Sequence, residues 1–366
     1  MQRDLRTVTL NVLASSVFRE TYDFIGSADL KGNLPPVESF RDALLIVHEY
    51  IVHLMVIPYR YLTGPLVPKK LIKIGHAARY LKEVITKIVL KERAAHQDGG
   101  SGSGGLVTSL VRAIDHTSKR GVLSMDETIG NIFMINFAGI DTTANVLAFM
   151  LMRLAAEPEL QDWVYEEIQS ISQGRPVQDW EYDDMFPHFK RTFAVFLETL
   201  RLYAPVTGVP KMAAAGTHRL KVGEREIMVE GGMDIFPLLT AIQTDPQYWA
   251  DPLTWNPKRW ILHPDASPGL ESEELFVPKE GTFFPWSDGV QNCLGKKVSQ
   301  VEAVAVLAAL MATHRICVKR RPGENREEVE RRVERCCEDN NFNILLEMND
   351  AGQVGLELVE RAKGEM

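Results

Sequence analysis

The sequence predicts a mainly helical fold with a small β portion, and three observations carry that reading. Apolar residues recur at helical spacing through long runs, of which 37–61, 69–95, 126–152, 158–171 and 189–203 are the clearest. The stretch 132–152 is apolar nearly all round, as an interior helix of a large fold is. Between His218 and Gln243 the pattern shortens to brief runs with turns at Gly223 and at Gly231 and Gly232, which is strand and hairpin chemistry.

Taken in order, the opening Met1-Gln2-Arg3-Asp4-Leu5-Arg6 is charged and passes at once into an apolar-periodic helix. It reads as mid-domain sequence and shows no signal-peptide pattern. The runs 37–61 and 69–95 read as two long amphipathic helices joined across Pro65 and Pro68. His48, His53 and His76 on them read as packing or surface residues rather than ligands. The Gly/Ser-rich run 97–105 has the composition of a flexible linker and is expected to be a surface loop inside one domain covering 1–366. The run 132–152 is long enough to cross a bilayer. However, Asp141 stands at its midpoint, and an aspartate at mid-bilayer costs about 2.5–3.5 kcal/mol. A buried core helix fits better. Towards the C-terminus, 319–338 reads as mostly a solvated charged face and 344–358 as a terminal hairpin turning at Asp350-Ala351-Gly352.

Composition bounds the function. A chain of 366 residues, 45% hydrophobic and 25% charged, is long enough to bury a large core, and a net charge of −8 argues against nucleic acid as a partner. The four cysteines, Cys293, Cys317, Cys336 and Cys337, form no disulfide framework and point to a reducing, intracellular compartment. No Cys-x-x-Cys or nearby His pair suggests a zinc site. The one Gly-rich run lacks the strand-turn-helix setting of a nucleotide fingerprint, so electrons for any redox reaction come from outside the chain.

Three motifs carry chemistry. In Phe284-Pro285-Trp286-Ser287-Asp288-Gly289-Val290-Gln291-Asn292-Cys293-Leu294-Gly295 a single cysteine is bracketed by glycines and followed by the apolar helical stretch 298–311. Gly289 allows a sharp turn beneath a flat macrocycle, and Gly295 leaves backbone N–H groups free to point at the sulfur. The positive end of the following helix adds to this. Together they favour a thiolate, the form that ligates haem iron and pushes electron density onto it. A buried, inert cysteine before a helix is the alternative. In Ala138-Gly139-Ile140-Asp141-Thr142-Thr143 a small-residue gap at Gly139 stands beside an acid and an alcohol. Such a gap would admit a ligand and open the helix ladder, letting Thr142 and water relay protons from Asp141. A back-bonding threonine in a kinked helix is the alternative. In Glu198-Thr199-Leu200-Arg201 an acid and a base share a helical face, and Arg259 in the later Trp255-Asn256-Pro257-Lys258-Arg259-Trp260 is placed to close a Glu198–Arg201–Arg259 group. The same spacing recurs at Glu328 and Arg331, without the proline and Pro-Lys-Arg-Trp context.

With these residues in this order, the chain resembles the cytochrome P450 family, in its eukaryotic, fungal membrane type. The resemblance runs along the whole chain. It implies a P450-like fold and haem as cofactor, with the Cys293 thiolate as axial iron ligand. Gly289, Gly295, Gln291 and Lys211 would border the haem. Asp141 and Thr142 would be the catalytic pair, with Glu198, Arg201 and Arg259 as a structural cluster. It further implies monooxygenation of a small organic substrate of fungal secondary metabolism by O2, an NADPH-dependent reductase as electron donor, and association with the endoplasmic reticulum membrane. Phe133, Phe137, Ala138 and 206–209 would line the substrate side. Lys296 and Lys297 would either dock the reductase or be ordinary solvated lysines.

The chain departs from the family at two loop positions. Trp286 stands where the family usually carries Phe, a tolerable exchange of aromatics. Gln291 stands where it carries an Arg that pairs with a haem propionate, and Lys211 is placed to compensate. The family's membrane anchor, first strands and the loop over the substrate pocket have no counterpart before Met1, so the chain is read as N-terminally truncated, with no anchor of its own. Two other readings stay open: a haem isomerase or dehydratase that uses no O2, and an inactive relative that binds haem weakly or not at all.

Overall fold

The computed structural model describes residues 1–19, 37, 39–97, 104–115, 123–264, 269–342 and 344–361. Most of the Gly/Ser run 97–105 therefore lies outside the described residues. The chain forms two compact units, one of Arg6–Asp141 and the other of Met1–Leu5 with Thr142–Met366.

The Arg6–Asp141 unit is helical. It contains most of α1 (Gln2–Phe18), then α2 (Phe40–Glu49), α3 (Ile51–Val56), α4 (Lys69–Gln97), α5 (Leu106–Asp115) and the first half of α6 (Met125–Ala156). A reciprocal cap starts α2: Ser39 Oγ accepts from the Asp42 N–H and Asp42 Oδ2 accepts from the Ser39 N–H, each at 3.1 Å. The single long helix expected over 37–61 does not form. Tyr50 leaves the helical region, with φ −113° and ψ 23°, α3 runs only six residues, and Pro58 precedes a 3₁₀ turn at Tyr59–Tyr61. The physical reason is that α3 buries no side chain and the proline blocks continuation. The core of the unit gathers Leu10, Leu13, Phe40, Leu44, Ile74, Leu81, Ile85, Val111 and Ile132. At Gly75 in α4 a Cβ would sit 2.7 Å from both the Cβ and the carbonyl oxygen of Leu62, so glycine is what lets the two segments touch.

The other unit combines the second half of α6 with α7 (Pro158–Ser172), α8 (Tyr182–Met185), α9 (Lys190–Leu202), α10 (Leu239–Gln243), α11 (Lys296–Thr313) and α12 (Arg326–Glu338). Its strands are β1 (Lys211–Met212), β2 (Thr217–Val222), β3 (Arg225–Glu230), β4 (Asp234–Ile235), β5 (Ile261–Leu262), β6 (Glu274–Leu275), β7 (His314–Val318), β8 (Asn340–Phe342), β9 (Leu346–Met348) and β10 (Leu356–Glu360). Among the described residues every sheet is an antiparallel pair: β1 with β4, β2 with β3, β5 with β6, β7 with β10 and β8 with β9. The terminal hairpin expected over 344–358 does not form, although the chain does turn at Asp350: β9 closes a short hairpin with the preceding β8, Phe342 facing Leu346, and β10 pairs at long range with β7. Likewise the strand pattern expected up to Gln243 ends early, because Leu239–Gln243 is helical with Leu239 and Gln243 buried. The charged run 319–338 is not wholly solvated: α12, capped reciprocally by Asn325 and Glu328, buries Val329, Arg332, Val333, Cys336 and Cys337 along one stripe.

Second-half residues of α6 (Leu147, Phe149, Met150, Leu154) pack in one core with Val195 and Phe196 of α9 and Leu307 and Met311 of α11. The most apolar window of α6 is 61% buried, as the interior-helix reading requires, although its length and composition also match those of a bilayer span. Glu302 on α11 is an exception in that core. It is 5% exposed, its Oε1 has no hydrogen-bond partner, and burial pushes its carboxyl up to about 8. The folded protein therefore keeps a proton that the unfolded chain releases in the ordinary carboxylate range, and stability falls as pH rises between that range and about 8. Glu302→Gln removes this dependence. Urea midpoints from pH 5 to 8 are expected to show the variant gaining on the parent by up to about 1.4 kcal/mol per pH unit, and a constant gap would refute a buried neutral carboxyl.

Candidate functional site

Glu198 on α9 is a buried charge whose partners are all in place. Its side chain and that of Arg201 are fully buried. Arg201 donates from Nε to Oε2 and from Nη2 to Oε1, both at 2.9 Å, and Arg259 Nε donates to Oε1 at 3.0 Å. The Asn256 N–H (2.8 Å) and Trp260 Nε1 (2.9 Å) complete the carboxylate's shell. The guanidiniums spend their remaining N–H groups on carbonyls, Arg201 on Gln243, Pro252 and Thr254 and Arg259 on Ala250, Asp251 and Thr254. The Glu-x-x-Arg pair at Glu328 and Arg331 is different. Glu328 caps α12 and Arg331 lies 3.9 Å from Glu327, all on the surface.

Gln243 joins this cluster to the cysteine loop. Fully buried at the end of α10, it donates from Nε2 to the carbonyls of Leu200 and Arg201, and its Oε1 accepts from the Phe284 N–H at 3.3 Å. Sequence reasoning missed it, because a lone glutamine closing a short apolar helix carries no pattern. From Phe284 the loop closes on itself: the Ser287 N–H donates to the Phe284 carbonyl at 2.9 Å and the Cys293 N–H to the Trp286 carbonyl at 2.8 Å. Trp286 anchors the turn, with Nε1 on Ser299 Oγ at 3.0 Å and its ring against Phe196 and Phe283. Gly289 has φ +80°, a conformation that would strain any other residue.

This loop leaves the Cys293 thiol exposed, one position before Leu294 and three after Val290, whose side chains are 92% and 104% exposed. A Cβ at Gly295 would stand 3.7 Å from the sulfur, so glycine keeps that flank open ahead of the N-terminus of α11. Cys336 and Cys337 are buried and hold their protons, Cys337 being pushed up to about 12 by desolvation. An accessible thiol beside two bare apolar side chains fits the face of a haem with sulfur as iron ligand. At the rim, Lys211 Nζ donates to the Asp288 carbonyl at 3.3 Å, and Gln291 is exposed. Lys296 lies over the Trp286 ring and Lys297 over Phe186, at 5.5 and 4.1 Å, so each ammonium already faces an aromatic ring. The segment 206–209 is half-buried, with the Thr207 carbonyl accepting from the Leu239 N–H at 3.0 Å.

In the other unit, Asp141 is 7% exposed on α6. Its Oδ1 lies 2.8 Å from Arg6 Nε, and its Oδ2 accepts from Arg6 Nη2 at 3.1 Å and lies 3.1 Å from His48 Nδ1. Arg6 also approaches Glu49, at 3.9 Å. The His48 ring packs on Phe137, itself stacked on Phe133, and its Nε2 lies 3.2 Å from the Phe137 carbonyl. The sequence reading of His48 as a plain packing or surface residue omits this acid. The expected gap at Gly139 is closed: a Cβ there would meet Leu13 Cδ1 at 2.7 Å, and α6 runs unbroken past it. Leucine packing against the glycine replaces the expected ligand space and helix break. Nothing in the local pattern identifies Arg6, 135 residues away, as a partner of Asp141.

Comparison with known proteins shows the family. The family model for cytochrome P450 matches residues 1–331. The chain is 27% identical over 336 residues to cytochrome P450 monooxygenase prx9 of Penicillium rubens, covering 86% of this chain and 58% of that protein. It is 31% identical over 236 residues to the phomenoic acid biosynthesis cluster cytochrome P450 monooxygenase of Leptosphaeria maculans, covering 57% of this chain and 38% of that one. The cytochrome P450DA heme domain superposes with a TM-score of 0.69 at 18% identity, over 99% of this chain and 68% of the other. The chain thus spans little more than half the length of the curated relatives it matches. With the family model covering nine-tenths of its residues and the fold shared across nearly all of them, the chain belongs to the cytochrome P450 family.

Proposed function

We propose that the chain is the haem-carrying part of a monooxygenase that places one atom of O2 in a small organic substrate and the other in water, drawing electrons from a separate NADPH-dependent reductase. The observation that carries this reading is the exposed Cys293 thiol, held in a closed loop that Gln243 ties to the buried Glu198 cluster. When bound, haem on a cysteine thiolate supplies the O2 activation that no side chain provides. The residues of the chain do the rest. Cys293 ligates the iron, and Gly289 and Gly295 leave room for the macrocycle. Lys211 and Gln291 meet its propionates. Asp141 and Thr142, consecutive on α6, pass protons to the reacting oxygen, and Phe133, Phe137 and Ala138 face the substrate. A biosynthesis-cluster enzyme among the relatives supports a substrate from fungal secondary metabolism, while a working site at the endoplasmic reticulum membrane rests on the family resemblance.

Three experiments test these assignments. Cys293→Ser is expected to abolish the red-shifted carbon monoxide band of thiolate-ligated ferrous haem, since a neutral hydroxyl is a poor donor; survival of the band would assign the ligand to another cysteine. Asp141→Asn and Thr142→Ala are each expected to keep haem but send electrons to hydrogen peroxide instead of product. Wild-type coupling in both variants would remove the pair from proton delivery. Gln291→Arg is expected to slow haem loss roughly 5-fold, the value of about 1 kcal/mol by which a charge-assisted bond exceeds a neutral one. Transfer of haem to apomyoglobin measures this rate, and equal loss would mean that Lys211 already holds that carboxylate.

A further inference from the structure

Asp141 has two basic neighbours on other helices, Arg6 of α1 and His48 of α2. Only one of them is able to hand over a proton. A guanidinium stays charged at any pH a protein survives, whereas an imidazole gains and loses a proton with ease. We propose that His48 is the group that recharges Asp141 with protons, an inference that rests on the reading of Asp141 as a proton carrier given above. His48 acts through Asp141 and is not itself a catalytic residue.

The geometry suits a transfer. Nδ1 lies 3.1 Å from Asp141 Oδ2, within direct hydrogen-bond reach, and Nε2 lies 3.2 Å from the Phe137 carbonyl. Both ring nitrogens therefore face oxygens that can only accept, and the imidazolium alone satisfies both. In the step, the Nδ1–H bond breaks and an O–H bond forms at Oδ2. The imidazole is left neutral with its Nε2–H on the Phe137 carbonyl, which fixes the tautomer so that Nδ1 is the nitrogen that next takes a proton from solvent. The His48 side chain retains 12% exposure, and Arg6 and Glu49 beside it are about one-third exposed, so water reaches the edge of the cluster. Among the described residues, Arg6, which holds Asp141 in place, and Glu49, which shares Arg6 at 3.9 Å, also bring charge to the site. The ring packs against Phe137 at a tilt of 35°, with centroids 4.9 Å apart, which restrains its rotation.

His48→Gln separates transfer from support, because glutamine keeps a donor and most of the volume but has no proton to give. Measured on the haem-loaded chain with its reductase, His48→Gln is expected to lower the product share of electrons by about 10²-fold relative to peroxide, as Asp141→Asn does. It should also enlarge the solvent isotope effect, and the double variant should be no worse than Asp141→Asn alone, as for two groups in series. Independently of turnover, the His48 ring ¹⁵N signals, assigned by their loss in His48→Gln, are expected to move in Asp141→Asn. Wild-type coupling in His48→Gln beside an uncoupled Asp141→Asn would overturn this proposal alone, as would unmoved ring signals. Full coupling in Asp141→Asn would overturn the underlying reading as well.

Discussion

One carboxylate organises the larger unit. Glu198 is an ion wholly removed from water, and such an ion is tolerable only when every lone pair is met. Two guanidiniums, a backbone N–H and an indole meet it. The two arginines, in turn, draw in the carbonyls of Gln243, Ala250, Asp251, Pro252 and Thr254. A coil segment that would otherwise choose among many conformations is thereby fixed by a charge that it cannot leave unpaired. Gln243 transmits the same constraint to Phe284, where the cysteine loop begins. The thiol is thus exposed but not free to wander.

Legibility in the sequence followed the range of the interaction. Glu198, Arg201 and Arg259 were readable because an i, i+3 pair and an Asn-Pro-Lys-Arg-Trp segment each carry a local pattern, and α4, α6, α7 and α9 because periodicity is local too. The turn at Asp350 was readable from its own residues, whereas the partner of β10 was not, since β7 is remote in sequence and the turn does not choose it; β9 pairs instead with β8 just before it. The same limit hid the surroundings of Asp141. An aspartate in an apolar helix announces that it needs a partner but not which one, and Arg6 and His48 come from helices remote in sequence. Leu13 against Gly139 is the converse case: a glycine leaves a space, and only the assembled helices decide whether leucine or a ligand fills it.

The two compact units differ in how they use charge. In the Arg6–Asp141 unit the Asp141 cluster keeps partial contact with water, and one of its members is able to change protonation. In the other, Glu198 and Arg201 are sealed, Arg259 closes the cluster at its edge, and the carboxylate's charged partners are arginines, which do not titrate. A sealed cluster of fixed charge suits a frame, and a partly wet cluster containing an imidazole suits traffic of protons.

The β2–β3 hairpin shows how an element without a core keeps its alignment. Nearly every residue of it is exposed, so burial cannot choose its register. Charge does so instead. In the observed pairing Lys221 faces Glu226, Thr217 faces Glu230 and Leu220 faces Ile227, with Arg219 reaching Glu226 at 3.5 Å. Sliding one strand by a single residue in one direction would set Lys221 against Arg225 and Leu220 against Glu226. Sliding in the other would set Lys221 against Ile227 and Val222 against Glu226. Each misalignment exchanges an attraction for a repulsion or an apolar contact for a mismatch. The same alternation places charges along both open edges, where they discourage a second copy from adding a strand.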